Sequence, residues 1–222
     1  MLIVLDAGHG GSDSGAIGFS NLLEKDVVLK VTLILAELLE KLKIDVLLTR
    51  NNDSFIPLTD RSEFANTNGA DYFISIHANA ATTISVSGVE TYAYSTSGKS
   101  YLLAQDVQKH LVSATGFNNR GVKTANFYVL RETKMPAILI EIGFISNPIE
   151  EQHLKDDNFI HKIAFGIYEG IAEYLNLKIS TEHLGQSAIY KLKELGIISE
   201  LHDADNFVTW GEFATIILQI MN

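Results

Sequence analysis

The chain is long enough for one domain with a small appendage, or for one large domain, and its composition is that of a folded protein. Of its 222 residues, 46% are hydrophobic and 20% are charged, so it can bury a sizeable core and is not disordered. A formal charge of −10 argues against nonspecific attraction to nucleic acid or to anionic membranes. Because the sequence contains no cysteine, disulfides, thiolate ligands and a cysteine nucleophile are excluded, and histidine and carboxylate remain as the strong metal ligands.

The stretch from Met1 to Asp6 contains neither a basic region nor enough apolar residues for a signal peptide or a membrane span. We therefore expect no membrane partner. A role outside the cytoplasm would need another route of release, such as a holin or lysis of a mother cell, or a leader that processing has removed.

Apolar runs of strand length alternate with segments of helical periodicity. The strand-like runs are residues 2–5, 46–48, 72–76, 89–94, 128–130 and 138–142. The helix-like segments are residues 22–42, 58–68, 99–115 and 157–175. Near-continuous apolar strands between amphipathic helices predict an α/β fold, with a mainly parallel twisted sheet covered by helices on both faces.

The pattern changes after the last of these helices. Polar residues follow from about 176, and two short helix-like segments, 187–195 and 210–221, come next. Thr209 and Glu212 have the spacing of a capping box, which favours a helix start there. The predicted organisation is a main domain over residues 1–176, a linker over 177–186 and a small helical segment over 187–222.

Three apolar strands end on residues that a buried strand should avoid. Asp6 and His9 follow the first strand, His77 follows the third, and Glu141 lies inside the last. Ligands of parallel α/β sheets bind at the carboxyl ends of strands, so these residues can converge. A carboxylate between isoleucine and leucine neighbours is costly to bury unpaired, so Glu141 is expected to face a metal, a cation or a reacting group. The alternative is an outward-facing glutamate on an edge strand.

Each of the other candidates has a structural explanation of its own. The glycine-rich turn around His9 lacks the spacing of nucleotide-binding loops, His77 could be a core histidine, and Glu24 suits the first turn of a helix electrostatically. Taken together, however, two histidines and a glutamate form a zinc site with an open fourth position, and a second glutamate could activate the bound water. The residues thus indicate a metallohydrolase.

Four motifs, in this order and spacing, resemble one enzyme family. They are Leu5-Asp6-Ala7-Gly8-His9-Gly10-Gly11, Leu23-Glu24-Lys25-Asp26, Ser75-Ile76-His77-Ala78-Asn79-Ala80 and Ile140-Glu141-Ile142-Gly143-Phe144-Ile145-Ser146-Asn147. Residues 1–176 are similar to the zinc-dependent N-acetylmuramoyl-L-alanine amidases of the amidase-3 family, especially to sporulation autolysins and phage endolysins of Gram-positive hosts.

The resemblance implies a phosphorylase/hydrolase-like fold with one Zn²⁺ per chain held by His9, Glu24 and His77. It implies that Glu141 is the catalytic carboxylate. The expected substrate is peptidoglycan, cut at the amide bond between N-acetylmuramic acid and the L-alanine of the stem peptide, so the enzyme would act on the cell wall. Two alternatives remain, a zinc peptidase or carboxypeptidase acting within the stem peptide, and a non-catalytic wall-binding module.

Three further residues near the motifs are candidates for supporting roles. Asp6 could accept a hydrogen bond from a metal-bound histidine, or fix the turn at Gly8. Arg131 could pair with a carboxylate of the stem peptide, or lie on a surface loop. Asn79, which follows His77 in its motif, is a candidate substrate contact.

The segment from about residue 184 is loosely similar to part of an S-layer-homology repeat, although the Thr-Arg-x-Glu core of that repeat reads Thr209-Trp210-Gly211-Glu212 here. A segment of about 40 residues supplies little core of its own. It is expected to contact the wall, to pair two chains in a homodimer, or only to stabilise the main domain.

Overall fold

The computed structural model describes residues 1–179, 192–193 and 195–196. Contacts within the chain divide it into two compact units, Met1–Leu177 and Lys178–Asn222. The helices predicted at 187–195 and 210–221 lie, apart from residues 192, 193 and 195, outside the described part, and they stay predictions together with the linker at 177–186. In the described part, no helix combines the length and the apolar character that a membrane span requires.

Six strands and six helices make up the described part of the first unit. In chain order they are β1 (Leu2–Ala7), α1 (Glu24–Lys41), β2 (Asp45–Leu48), α2 (Leu58–Thr67), β3 (Tyr72–Asn79), β4 (Val89–Ala93), α3 (Gly98–Thr115), β5 (Asn119–Thr124), α4 (Tyr128–Glu132), β6 (Ala137–Phe144), α5 (Pro148–Lys155) and α6 (Asp157–Tyr174).

The strands form one sheet in the order β2-β1-β3-β6-β4-β5. All neighbouring strands are parallel except β4 and β6, which are antiparallel. Helices α1, α3 and α6 pack together on one face, and α2 and α4 pack on the other, over a core that includes Val4, Phe73 and Leu139. The predicted α/β class, a mainly parallel sheet with helices on both faces, is therefore confirmed.

The prediction of individual elements was wrong at residues 128–130, and it missed two elements, the strand β5 and the helix α5. Residues 128–130, predicted as a strand, begin the short helix α4, because a run of three apolar residues fits either a strand or one buried turn of a helix. The edge strand β5 was not predicted at all. Its sequence, Asn-Arg-Gly-Val-Lys-Thr, has no apolar alternation, and it is a strand because its backbone pairs with β4.

Candidate metal centre and active site

The carboxyl ends of β1, β3 and β6 meet at one edge of the sheet. His77 of β3 lies in register with Glu141 of β6, and Ala7, which ends β1, lies in register with Ile76. His9 follows β1 by two residues, and Glu24 is the first residue of α1. The parallel arrangement thus gathers the four residues that the sequence singled out.

His9, Glu24 and His77 form a compact cluster around one carboxylate oxygen. Oε1 of Glu24 lies 3.1 Å from Nε2 of His9 and 3.0 Å from Nδ1 of His77. The two imidazole rings meet edge to face, with centroids 5.0 Å apart. One ligand atom from each residue lies within 4.8 Å of the others, so these three side chains could together hold a metal ion.

Two glycines leave the room that this cluster needs. A Cβ atom on Gly8 would lie 2.4 Å from the ring of His77, and one on Gly15 would lie 2.6 Å from Oε2 of Glu24 and 2.7 Å from the ring of His9. Any side chain at either position would therefore displace a member of the cluster. Gly8 of the first motif and Gly15 thus act here by allowing close approach of the backbone.

Backbone N–H groups hold the Glu24 carboxylate in place. The N–H of Ala78 donates to Oε1 at 3.0 Å, and the N–H of Ala16 donates to Oε2 at 2.8 Å. Burial alone would raise the pKa of Glu24, but the two histidines outweigh it and hold the pKa far below its usual range. Glu24 therefore stays an anion, the form in which a carboxylate binds a cation.

Asp13 orients His9 from the opposite side. Its Oδ2 lies 2.8 Å from Nδ1 of His9, and its Oδ1 accepts a hydrogen bond of 3.0 Å from the N–H of Gly15. With Nδ1 engaged by Asp13, Nε2 is the ring nitrogen that faces Glu24. Asp13 therefore makes the contact to a histidine that the sequence analysis considered for Asp6.

Asp6 makes no hydrogen bond to either histidine in the described structure. It is buried and accepts hydrogen bonds of 2.7 Å from Thr49, Arg61 and Ser75. Burial alone would raise the pKa of Asp6, but Arg61 and the hydroxyl donors hold it below its usual value. Of the two roles considered for Asp6, these contacts agree with fixing the loop.

Arg61 links Asp6 to the turn that carries His9. Its guanidinium donates to the carbonyl oxygens of Ala7 and His9, both at 2.6 Å, and Arg50 donates to the carbonyl of Gly8 at 2.7 Å. His9 has a φ of 58°, a left-handed conformation that costs energy for a residue with a side chain. The two buried arginines hold the backbone in that conformation.

Glu141 contributes a buried carboxylate oxygen beside the cluster. Its Oε2 is buried and has no hydrogen-bond partner in the described structure. Burial, together with the nearby Glu24 and Glu90, raises the pKa of Glu141 to about 7, although His77 and His9 act in the opposite direction. A buried polar atom normally has a hydrogen-bond partner. An oxygen without one, beside a possible metal site, indicates that its partner there is water or substrate.

The two predicted substrate contacts have partners within the protein. Nδ2 of Asn79 donates to Glu90 at 2.7 Å. Arg131 donates from Nε to its neighbour Glu132 at 2.7 Å and from Nη1 to Asn126 at 2.9 Å. Direct contact of either residue with substrate stays a prediction.

Sequence reasoning assigned no role to Asp13, Arg61 or Glu90. Asp13 had a usable signal, because it follows His9 by four residues in the same glycine-rich turn. The hydrophobic pattern gave no such signal for Arg61 or Glu90, since an arginine on an amphipathic helix and a glutamate on an apolar strand do not reveal which distant side chain they meet.

The chain is similar in sequence to known proteins. Residues 3–173 match the family described as N-acetylmuramoyl-L-alanine amidase. The chain is 37% identical over 222 residues to the sporulation-specific N-acetylmuramoyl-L-alanine amidase of Bacillus subtilis, covering 97% of this chain and 84% of that protein. It is 43% identical over 184 residues to the endolysin of Bacillus phage SPP1, covering 80% of this chain and 67% of that protein.

Solved structures give the same result. The catalytic domain of CwlV, an N-acetylmuramoyl-L-alanine amidase from Bacillus (Paenibacillus) polymyxa var. colistinus, is 41% identical and superposes with a TM-score of 0.76, covering 80% of this chain and 99% of that one. The N-acetylmuramoyl-L-alanine amidase AmiC2 of Nostoc punctiforme is 39% identical with a TM-score of 0.76, covering 79% and 97%. The chain therefore belongs to the N-acetylmuramoyl-L-alanine amidase family.

Proposed function

We propose that this chain hydrolyses the amide bond between N-acetylmuramic acid and L-alanine in peptidoglycan, and that His9, Glu24, His77 and Glu141 form its active site. The observation that carries the proposal is the convergence of three ligand atoms within 4.8 Å next to a buried carboxylate oxygen of Glu141 that has no partner in the described structure. Membership of the amidase family gives the substrate and the bond.

The donor set suits one Zn²⁺ per chain. Two imidazole nitrogens and one carboxylate oxygen are usual ligands of catalytic zinc, which keeps a further position open for water or substrate. Zinc held by these three side chains would supply Lewis acidity, the property by which it lowers the pKa of water to about 7 and stabilises negative charge on a carbonyl oxygen. Asp13 keeps His9 oriented, and the backbone donors to Glu24 keep that carboxylate aimed at the same point.

Glu141 carries the proton in this mechanism. As water attacks the lactyl carbonyl carbon and the C–O bond forms, Glu141 accepts a proton from that water. It then gives the proton to the nitrogen of L-alanine as the C–N bond breaks, so that the products are a carboxylic acid on the glycan and a free amine on the peptide. Burial raises the pKa of Glu141 above its usual value, which makes the carboxylate a stronger proton acceptor.

Identifying the new termini tests the proposal. Purified peptidoglycan is digested, and the products are analysed by mass spectrometry and by labelling of new amino groups and reducing ends. Free L-alanine amino termini without new reducing sugars support an amidase. New amino termini inside the stem peptide would instead identify a peptidase, and zinc binding without any turnover would identify a wall-binding module.

We propose from the sequence that residues 187–222 form an accessory segment that contacts the wall or pairs two chains. The support is that the four motifs precede residue 177 and that the first compact unit ends at Leu177. The family relationship supports action on the cell wall. The proposal also includes the route of release, which is a holin, lysis of a mother cell, or secretion with a processed leader.

A further inference from the structure

An irregularity between β4 and β5 brings two cations to one side of the sheet. Two residues of β5, Arg120 and Gly121, lie opposite the single residue Glu90 of β4, which is the pattern of a β-bulge. Gly121 has a φ of +79°, which suits glycine at such a position. In a regular strand, residues three apart point to opposite faces. The extra residue removes this difference, and both Arg120 and Lys123 reach the carboxylate of Glu90.

Glu90 is a buried anion that gathers four donors. Its Oε1 accepts hydrogen bonds of 2.7 Å from Asn79 and from the hydroxyl of Tyr92. Its Oε2 accepts from Nε of Arg120 at 2.7 Å and from Nζ of Lys123. Burial alone would raise the pKa of Glu90, but Lys123, Tyr92 and Arg120 hold it below its usual value. One carboxylate thus faces two cations, and the group carries one positive charge in excess.

The two cations line an open cleft. It has a volume of about 500 Å³, and the rest of its lining consists of serines, asparagines and one valine, with no carboxylate. The side chains of Arg120 and Lys123 are 33% and 36% exposed. Glu90 uses the Nε donor of Arg120, and the guanidinium lies 4.9 Å above the ring of Phe144. Because arginine has five N–H donors and lysine three, both side chains keep donors for a ligand.

The carboxylate that holds both cations lies next to the proposed catalytic carboxylate. Glu90 is the register partner of Glu141 across β4 and β6, and the Cβ atoms of such partners are about 4.5–5.5 Å apart. The cations are therefore anchored one side chain away from Glu141. On the two sides of the bond to be cut, the sugar and lactyl part is uncharged, whereas the stem peptide carries carboxylates.

We propose that Arg120 and Lys123 form a subsite for a carboxylate of the stem peptide, on the residue that follows L-alanine. The inference rests on the proposed function, because it uses the position of the scissile bond beside Glu141. Nη1 of Arg120 makes a long contact of 3.5 Å to the carbonyl oxygen of Ser87, and each terminal nitrogen carries two N–H groups. Arg120 can therefore still offer one N–H from each terminal nitrogen, which matches the two oxygens of a carboxylate, and Lys123 adds a point charge. Glu90 is a positioning residue that holds both cations at the cleft.

Two soluble muramyl peptides test this subsite. Both contain the muramyl–L-alanine amide, and they differ only in the next residue, a glutamate whose α-carboxyl group is either free or a carboxamide. We expect the protein with zinc bound to cleave the free acid with a kcat/KM about tenfold or more above that of the amide, since charged hydrogen bonds are the stronger ones. Arg120→Gln and Lys123→Met should each bring this ratio towards one, mainly by lowering kcat/KM for the free acid.

Lys109→Met is the matched control, because Lys109 also pairs with a glutamate, Glu173, but lies on the surface of α3. It should leave the ratio unchanged.

If Arg120→Gln unfolds because Glu90 loses a partner, Lys123→Met still tests the proposal, since Arg120 then still pairs with Glu90. An unchanged ratio in folded variants, or loss of the ratio in Arg131→Gln instead, overturns the subsite. If the wild-type protein cleaves neither peptide nor peptidoglycan, the proposed function itself fails, whereas equal cleavage of both peptides refutes only the subsite.

Discussion

Glu141 of β6 and Glu90 of β4 are register partners, but they differ in their hydrogen-bond partners and in the direction in which their pKa values are shifted. Glu90 accepts hydrogen bonds from four side chains. Burial alone would raise its pKa, but three of these donors, Lys123, Tyr92 and Arg120, hold it below the usual value. Glu141 has a buried oxygen without a partner in the described structure, and burial raises its pKa to about 7. Glu90 is thus held as a fixed charge, and the environment of Glu141 suits the proton-carrying role proposed for it.

Replacing Glu141 by glutamine should lower kcat on muramyl-L-alanine substrates by at least about 100-fold, because the amide keeps the shape but accepts no proton. Zinc content, measured by atomic absorption after dialysis, should stay at one ion per chain, since Glu141 is not among the three proposed ligands. Turnover near that of the wild type would remove Glu141 from the mechanism.

Replacing Asp13 by asparagine should lower zinc affinity about 10- to 100-fold, the usual effect of losing a carboxylate that orients a metal-bound histidine. Competition with a chromophoric chelator measures this. Asp157→Asn is the control, because Asp157 pairs with Lys30 on the surface at 2.8 Å. Equal affinities for both variants would show that Asp13 does not support His9.

Metal binding should strengthen as pH rises from 7 to 9. In the metal-free protein, burial alone would lower the pKa of His9, but Glu24 and Asp13 outweigh it and raise the pKa to about 9. A histidine binds zinc only in its neutral form, so the metal displaces a proton from His9, and the association constant should rise about tenfold per pH unit until it levels off near pH 9. Chelator competition at three pH values checks this, and an affinity independent of pH would contradict it.

The same pKa determines how the stability of the metal-free protein changes with pH. The pKa of His9 is raised from its usual 6.5 to about 9 in the folded chain. The stabilisation from protonated His9 is therefore fully present below about pH 6.5 and is lost as pH rises through about 9. The Tm of the metal-free protein should therefore fall as pH rises across that interval, because His9 loses its proton. Added zinc should offset the fall.

Replacing Gly170 by alanine should destabilise the protein although alanine is the better helix former. A Cβ at Gly170 of α6 would lie 2.5 Å from Cα of Val107 on α3, and such overpacking costs about 1–3 kcal/mol, against a gain of about 1 kcal/mol in helix propensity. We expect Tm to fall by several degrees. Ser113→Ala, at an exposed position of α3, is the control and should leave Tm unchanged or slightly raised.

A chain that ends at Leu177 should stay folded and bind zinc but should bind whole cell walls less well. The first compact unit ends at this residue, and α6 closes it against α1 and α3. Circular dichroism, metal analysis and pull-down on insoluble walls test the three parts, and light scattering of both chains tests pairing. Unchanged mass and unchanged wall binding would leave residues 178–222 without either proposed role.

The sequence by itself determined the main domain's fold class and the candidates for its site. The strands around Ile74 and Ile140 and the helix α1 were predictable because their apolar periodicity records which face is buried. Glu141 stood out for the same reason, since a carboxylate inside an apolar strand contradicts that pattern. His9, Glu24 and His77 followed from their motifs and from the rule that the carboxyl ends of parallel strands share one edge.

Only the tertiary structure decided which side chains support these residues. Arg61 holds the backbone of His9 from 52 positions away, and periodicity records the burial of a residue but not the partner that it meets. β5 is too polar to signal a strand, and its bulge exists only in register with β4. Arg120 and Lys123 meet on Glu90 because of that bulge, so their shared cleft arises from strand pairing, which is a property of two segments and cannot be read from either one alone.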